Sequence, residues 1–225
     1  MSTFIAIDGL DGSGKETQSN KLVNYLKIDG HAVRYLSFPV YESESSAPVR
    51  MYLSGKLGTR PSDTNAYAAS TLFACDRYCS YKSDWKKDYD SLSKIIVANR
   101  YTSANAVHQL SKMPREHWDD FLDWLWDFEF IKLGLPAPDL VLYLELLPEQ
   151  SMELVSKRSS STGRTKDIHE LDEGFMRRSY EAAQFACEKL GWTKIKCYDD
   201  NGVRDREDIF KEILRTVGEK TDIIL

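Results

Sequence analysis

The chain has 225 residues, 42% hydrophobic and 29% charged, with a formal net charge of −5. These figures suit a soluble globular protein with one substantial core and at most a small lid, and the negative balance argues against sequence-independent binding to a nucleic acid backbone. No apolar run approaches membrane-spanning length and the N-terminus enters a strand directly, so no membrane partner and a cytoplasmic location are expected. Cys75, Cys79, Cys187 and Cys197 form no disulfide framework. Cys75 and Cys79 share a helix face, but no further Cys or His completes a zinc site, so reduced thiols are expected.

In chain order, the apolar run Phe4-Ile5-Ala6-Ile7 reads as a buried strand over 3–8. The loop 9–17, GLDGSGKET, follows, and 18–28 reads as a helix. Strand, glycine-rich loop, then helix with a lysine at its start is the context a phosphate-binding loop requires. Glycines let successive N–H groups turn inward on an anion. The helix N-terminus adds free donors and partial positive charge, and Lys15 adds a mobile cation. Gly9, Gly14 and Lys15 fit the G-x-x-x-x-G-K spacing; Glu16 takes the usual hydroxyl position and Thr17 comes one later.

Further strands are expected over 32–38, 94–99, 140–146 and 193–198. Their alternation with helical patterns predicts an α/β fold, a parallel sheet with helices on both faces, as one domain over 1–225. The insertion 39–93 reads as mostly helical, with a tight turn near 55–61 and Ser62-Asp63-Thr64 capping a helix that runs to about Lys82. Over 116–133, Trp118, Phe121, Trp124, Leu125, Phe128 and Ile131 recur at helical spacing, with Trp126 and Phe130 off that stripe. Such a helix is buried on two sides, either in a deep core or at a subunit interface. Residues 156–167, SKRSSSTGRTKD, hold four basic and no apolar side chains. They read as a surface loop that, beside a phosphate site, acts as a mobile basic lid over 156–170. Two amphipathic helices, 171–190 and 205–217, complete the chain.

Ligands of open parallel sheets bind beyond the C-terminal strand ends. That rule brings together Asp8 and Asp11, then Phe38-Pro39-Val40-Tyr41, then Asn99-Arg100-Tyr101. Arg100 suits bidentate phosphate binding, with a structural ion pair as its plainer role. Phe73, Asp76 and Arg77 share a helix face; they suit a flat heteroaromatic base, or else core plus a surface salt bridge. Asn105, His108 and Gln109 follow on one helix turn, where amides can pair with a base edge and His108 either lines the site or packs.

These residues resemble the thymidylate kinase family of P-loop nucleoside monophosphate kinases. The likeness spans nearly the whole chain: IDGLDGSGKETQ, SFPVY, LFACDR, NRYTSANAVHQ, PAPDLVLYLEL and the basic lid. It implies a P-loop NTPase fold with a five-stranded parallel sheet, transfer of the terminal phosphoryl of ATP to dTMP, Mg2+, and a homodimer. It places ATP on Gly9, Asp11, Gly12, Ser13, Gly14, Lys15, Glu16, Thr17 and Gln18, with Asp11 and Thr17 as candidate metal ligands. It gives Asp11 the deoxyribose 3′-hydroxyl, Phe38 and Tyr41 the border of the monophosphate, and Phe73 the stacking face. Arg77 then donates to a thymine carbonyl, Arg100 grips the acceptor phosphate and Asn105 faces the base. His108 stands where an aromatic ring often crowds a 2′-hydroxyl, with Gln109 beside it. With no arginine in the phosphate loop, the lid must supply one: Arg164 first, then Arg158. Two departures stand out, Asn99 for the usual aspartate and Glu16 for the usual hydroxyl. His108, Asn99 and Gln109 leave open another nucleotide or nucleoside as acceptor, and Asn99 alone leaves open a binding module without transfer.

Overall fold

The structure, a computed structural model, describes residues 2–91, 93–162 and 167–224. Five strands form one parallel sheet in the order β2-β3-β1-β4-β5. They are β1 Thr3–Gly9, β2 Ala32–Ser37, β3 Lys94–Asn99, β4 Leu140–Glu145 and β5 Thr193–Lys196. Each matches an expected run within two residues. Beyond β5 the chain makes a small hairpin, β6 Tyr198–Asp199 with β7 Gly202–Val203.

Alternation along the strands separates two apolar layers. Ile5 and Ile7 face the layer that holds Leu22, Leu26, Ile213 and Val217. Phe4 and Ala6 face the layer of Tyr81, Trp85 and Tyr101. Helix α1, Lys15–Ile28, and helix α10, Arg206–Lys220, therefore cover one face. The other face carries α5, Thr102–His108, and α9, Glu173–Leu190. Gly191 in a left-handed conformation closes α9.

Between β2 and β3 lie α2 Ala47–Leu53, α3 Ala66–Ser80, a π turn Tyr81–Trp85 and α4 Lys86–Asp90. The cap of α3 differs from expectation. Asn65 Oδ1 accepts from Ala68 N at 2.8 Å, while Pro61–Asp63 is a 3-10 turn closed by Asp63 onto Arg60. Proline at its head favours this separate turn, and the side chain nearest the helix takes the cap.

The expected helix over 116–133 is composite. A 3-10 turn Arg115–His117 leads into α6 Trp118–Trp126 and then a π turn Asp127–Lys132. The wider π turn shifts the helical phase. Ile131 leaves the stripe, 62% exposed, and Glu129 enters the interior at 0%.

The lid also differs. Helix α7, Pro148–Thr162, runs through much of the segment read as a loop. In this polar stretch Ser160 Oγ donates to Ser156 O and Ser161 Oγ to Arg158 O, so both hydroxyls are satisfied on the helix's own carbonyls. Short helix α8, Ile168–Leu171, follows, capped by Asp167 in a reciprocal box with Glu170. Arg164 lies outside the described residues.

Candidate active site

Strand register sets the site. Ile7 pairs with Asn99, so Asp8 and Arg100 leave adjacent strands at one level. Arg100 takes φ 65°, a strained conformation for a non-glycine residue, while its N–H donates to Ile7 O at 3.0 Å. This turns the guanidinium over the strand ends. It pairs with Asp11, lies 3.6 Å from Asp8, and Nη1 donates to His108 Nε2 at 3.1 Å. Ser37 pairs with Asn99 across β2 and β3, and Asn99 Nδ2 donates to Ser37 Oγ at 3.2 Å.

The loop after β1 packs tightly under α7. A Cβ on Gly12 (φ +84°) would lie 2.9 Å from Ser151 O, whereas one on Gly14 (φ +85°) would meet nothing within 4 Å. No larger side chain fits at position 12, in keeping with a loop that carries no arginine. Ser151 Oγ also donates to Asp11 O. Lys15 Nζ donates to Leu10 O at 2.8 Å and sits 3.9 Å from Asp11.

Electrostatics follow from this crowding. Burial, with Arg100 next, lowers Lys15 to about 7 despite Asp11 and Asp8. Burial alone would raise Asp11, but Arg100 and then Lys15 outweigh it and hold its carboxyl well below the usual range. Burial and the Arg100 cation push His108 well down, so it stays a neutral acceptor. Burial, then the Lys112 cation, lowers His169 to about 3, and burial with Asp11 raises Asp167 to about 6.

Every described site residue expected from the resemblance except Gly9 lines one cavity of about 660 Å³, whereas Asp8 and Val40, expected from the strand-end rule, do not. Gly9 lies behind it, at the end of β1 against β4. Glu16 and Thr17 are exposed at the start of α1. Phe38 is buried against Tyr101, and Tyr41 is exposed at the rim. Phe73 is half-buried, edge-on to Tyr52 at 6.0 Å. Arg158, also at the cavity, pairs with Glu170.

Arg77 is placed otherwise than a surface salt bridge would have it. It is buried and clasped by Glu129, with Nε to Oε2 at 2.7 Å. Asp76 instead ties down the loop after β2, accepting from Val40 N at 2.9 Å and Ser45 Oγ at 2.8 Å. Asn105 and Gln109 are buried beside it at the cavity wall.

Sequence reasoning missed Glu129, Asp167 and His169. His169 Nε2 meets Tyr52 Oη at 2.7 Å, and its ring lies 5.4 Å from that of His108. Glu129 left only a faint signal, a carboxylate between Phe128 and Phe130 in a run that also holds Asp119, Asp120, Asp123 and Asp127. The other two left none. Among the described residues no cluster of three or more His, Cys, Asp or Glu is poised to hold a metal ion.

A strand, glycine-rich loop and helix that open on a cavity across the ends of a five-stranded parallel sheet have the architecture of a P-loop nucleotide kinase. The family model described as thymidylate kinase matches residues 7–195. A thymidylate kinase of Mycobacterium tuberculosis is 31% identical over 184 residues, covering 78% of this chain and 81% of that protein. The human thymidylate kinase is 32% identical over 143 residues, covering 64% and 60%. The solved thymidylate kinase of Candida albicans superposes with a TM-score of 0.71 at 21% identity, over 97% of this chain and 92% of that one. The chain belongs to the thymidylate kinase family.

Proposed function

We propose that the chain transfers the terminal phosphoryl of ATP to the phosphate of dTMP, giving dTDP and ADP. One observation carries this reading. A single cavity holds the phosphate loop, an aromatic plate flanked by an arginine and an amide, and Arg100. Family membership supports the same choice of donor and acceptor.

In this reading the loop from Gly9 and Asp11 through Gln18 takes the ATP phosphates, with Lys15 as the mobile cation. A bound triphosphate restores the Lys15 proton, because it offsets the burial and the Arg100 charge that depress it. Arg100 exchanges part of its hold on Asp11 for the acceptor phosphate. Phe38 and Tyr41 border that phosphate. Phe73 stacks on the base, Arg77 and Asn105 face its polar edge, and His108 and Gln109 close the sugar side. Catalysis then rests on positioning and on neutralising charge in the moving phosphoryl.

Magnesium fits as an ion carried in with the triphosphate. The chain offers hard oxygens, Thr17 Oγ1 and the Asp11 carboxylate, and no protein cage is needed for such an ion. When bound it would neutralise phosphate charge. The lid, 156–170, would exclude water on closing. Arg164 would reach the phosphates first, and Arg158, released from Glu170, second. Exposed Tyr67 and Tyr78 on α3 and Trp126 on α6 each leave apolar surface that a homodimer would cover. The same reading makes the protein one cytoplasmic domain.

The test is an ATP-dependent assay over a panel of nucleoside monophosphates, with products separated by chromatography. Conversion of dTMP above dUMP, dCMP, dGMP and AMP supports the reading. A larger product from another acceptor would reassign it, and ATP binding without transfer would point to Asn99 as the mark of a lost activity.

A further inference from the structure

We infer that Glu129 is a positioning residue that sets base specificity by holding Arg77 and Asn105 from behind. The inference rests on the proposed seat of the base at Phe73. Glu129 is fully buried and is absent from the cavity wall, so it acts through its neighbours. Its Oε2 accepts from Arg77 Nε at 2.7 Å and from Thr102 Oγ1 at 2.8 Å. Its Oε1 accepts from Arg77 Nη2 and from Asn105 Nδ2 at 3.0 Å. Four donors from three residues on two elements, α3 and α5, thus converge on one carboxylate.

The consequence is directional. Asn105 Nδ2 also donates to Ser70 O at 3.3 Å. Both of its acceptors lie on the side away from the cavity, so an amide turned the other way would set its oxygen against two oxygens. Asn105 therefore offers the ligand its carbonyl, an acceptor. Arg77 spends Nε and Nη2 on Glu129, which leaves Nη1 for the ligand, a donor. One donor beside one acceptor complements a base edge with a 4-carbonyl and a protonated N3, as in thymine or uracil. Cytosine, with a 4-amino group and an unprotonated N3, presents the reverse pattern. The carboxylate reaches this place because the π turn brings Glu129 inward, a feature common at functional sites.

Glu129→Gln keeps the side-chain length. Since each oxygen of Glu129 accepts from Arg77, either placement of the new NH2 faces an Arg77 N–H. The expected result is a roughly tenfold or greater rise in the dTMP KM, at the scale of one hydrogen bond to a charged group. The ATP KM should stay within about twofold, and the preference for dTMP over dCMP should fall by a similar factor of about ten. Glu129→Asp is the second variant. It keeps the charge beside Arg77 but withdraws the carboxylate by one methylene, so it should fold and show the same split. A merely structural role would lower thermal stability and the active fraction for all acceptors alike, leaving KM and the dTMP-to-dCMP ratio unmoved. That result in a wild-type-active protein overturns this inference alone. A wild type that fails to phosphorylate dTMP removes the base-binding premise and the inference with it.

Discussion

Phe73→Ala separates base recognition from core packing. The ring is half-buried, touches Tyr52 edge-on at 6.0 Å, and turns its remaining surface to the cavity. A stacked base is worth about 1–3 kcal/mol in alanine substitutions. The dTMP KM should therefore rise by roughly 5- to 150-fold, at about 1.4 kcal/mol per factor of ten. The phosphate loop is built on β1 and α1 rather than on α3, so the ATP KM should move by less than about twofold, because sites without shared partners act independently. Stability should fall by only about 2 kcal/mol, below the ~3–5 kcal/mol of a fully buried phenylalanine. Initial rates with each substrate varied at saturation of the other, together with thermal unfolding, measure all three quantities. Equal changes in both KM values, or a loss of stability with neither KM moved, would show that Phe73 is a core residue and that the base sits elsewhere.

Lys15 gives a pH dependence. In the free enzyme it is lowered from 10.5 to about 7, so its cation is present below that pH and lost above it. The kcat/KM for MgATP, which reports the free enzyme, should fall as pH rises through neutrality; a flat profile there would refute the assignment. Gly12 and Gly14 make a paired test. Gly12→Ala adds a Cβ 2.9 Å from Ser151 O to a left-handed backbone, whereas Gly14→Ala adds only the backbone strain, about 1–2 kcal/mol. Gly12→Ala should lose more stability and more ATP turnover than Gly14→Ala, and equal losses in calorimetry and rate would contradict the packing of α7 on the loop.

Strands and phosphate loop were readable because their signals are local. A parallel strand buried on both faces writes itself as an apolar run, and Gly9, Gly14 and Lys15 need only the right spacing. The convergence of Asp8, Asp11 and Arg100 followed from one rule about strand ends. What could not be read depends on partners distant in sequence. Arg77 was assigned to a base without sight of Glu129, 52 residues away. The polar lid gave no apolar stripe, yet α7 continues the helix begun at Pro148 through it to Thr162. His169 enters the cavity wall because Ile168 beside it packs into the cluster of Tyr52 and Leu53, an arrangement that no spacing encodes.

Transfer between two nucleotides in one cavity is tested by following the phosphoryl itself. ATP labelled at its terminal phosphate is mixed with dTMP, Mg2+ and the protein, and the products are resolved over time. Label should appear in dTDP in step with ADP formation, with little free phosphate. Label released as inorganic phosphate, or retained in ATP while dTMP stays unchanged, would contradict it.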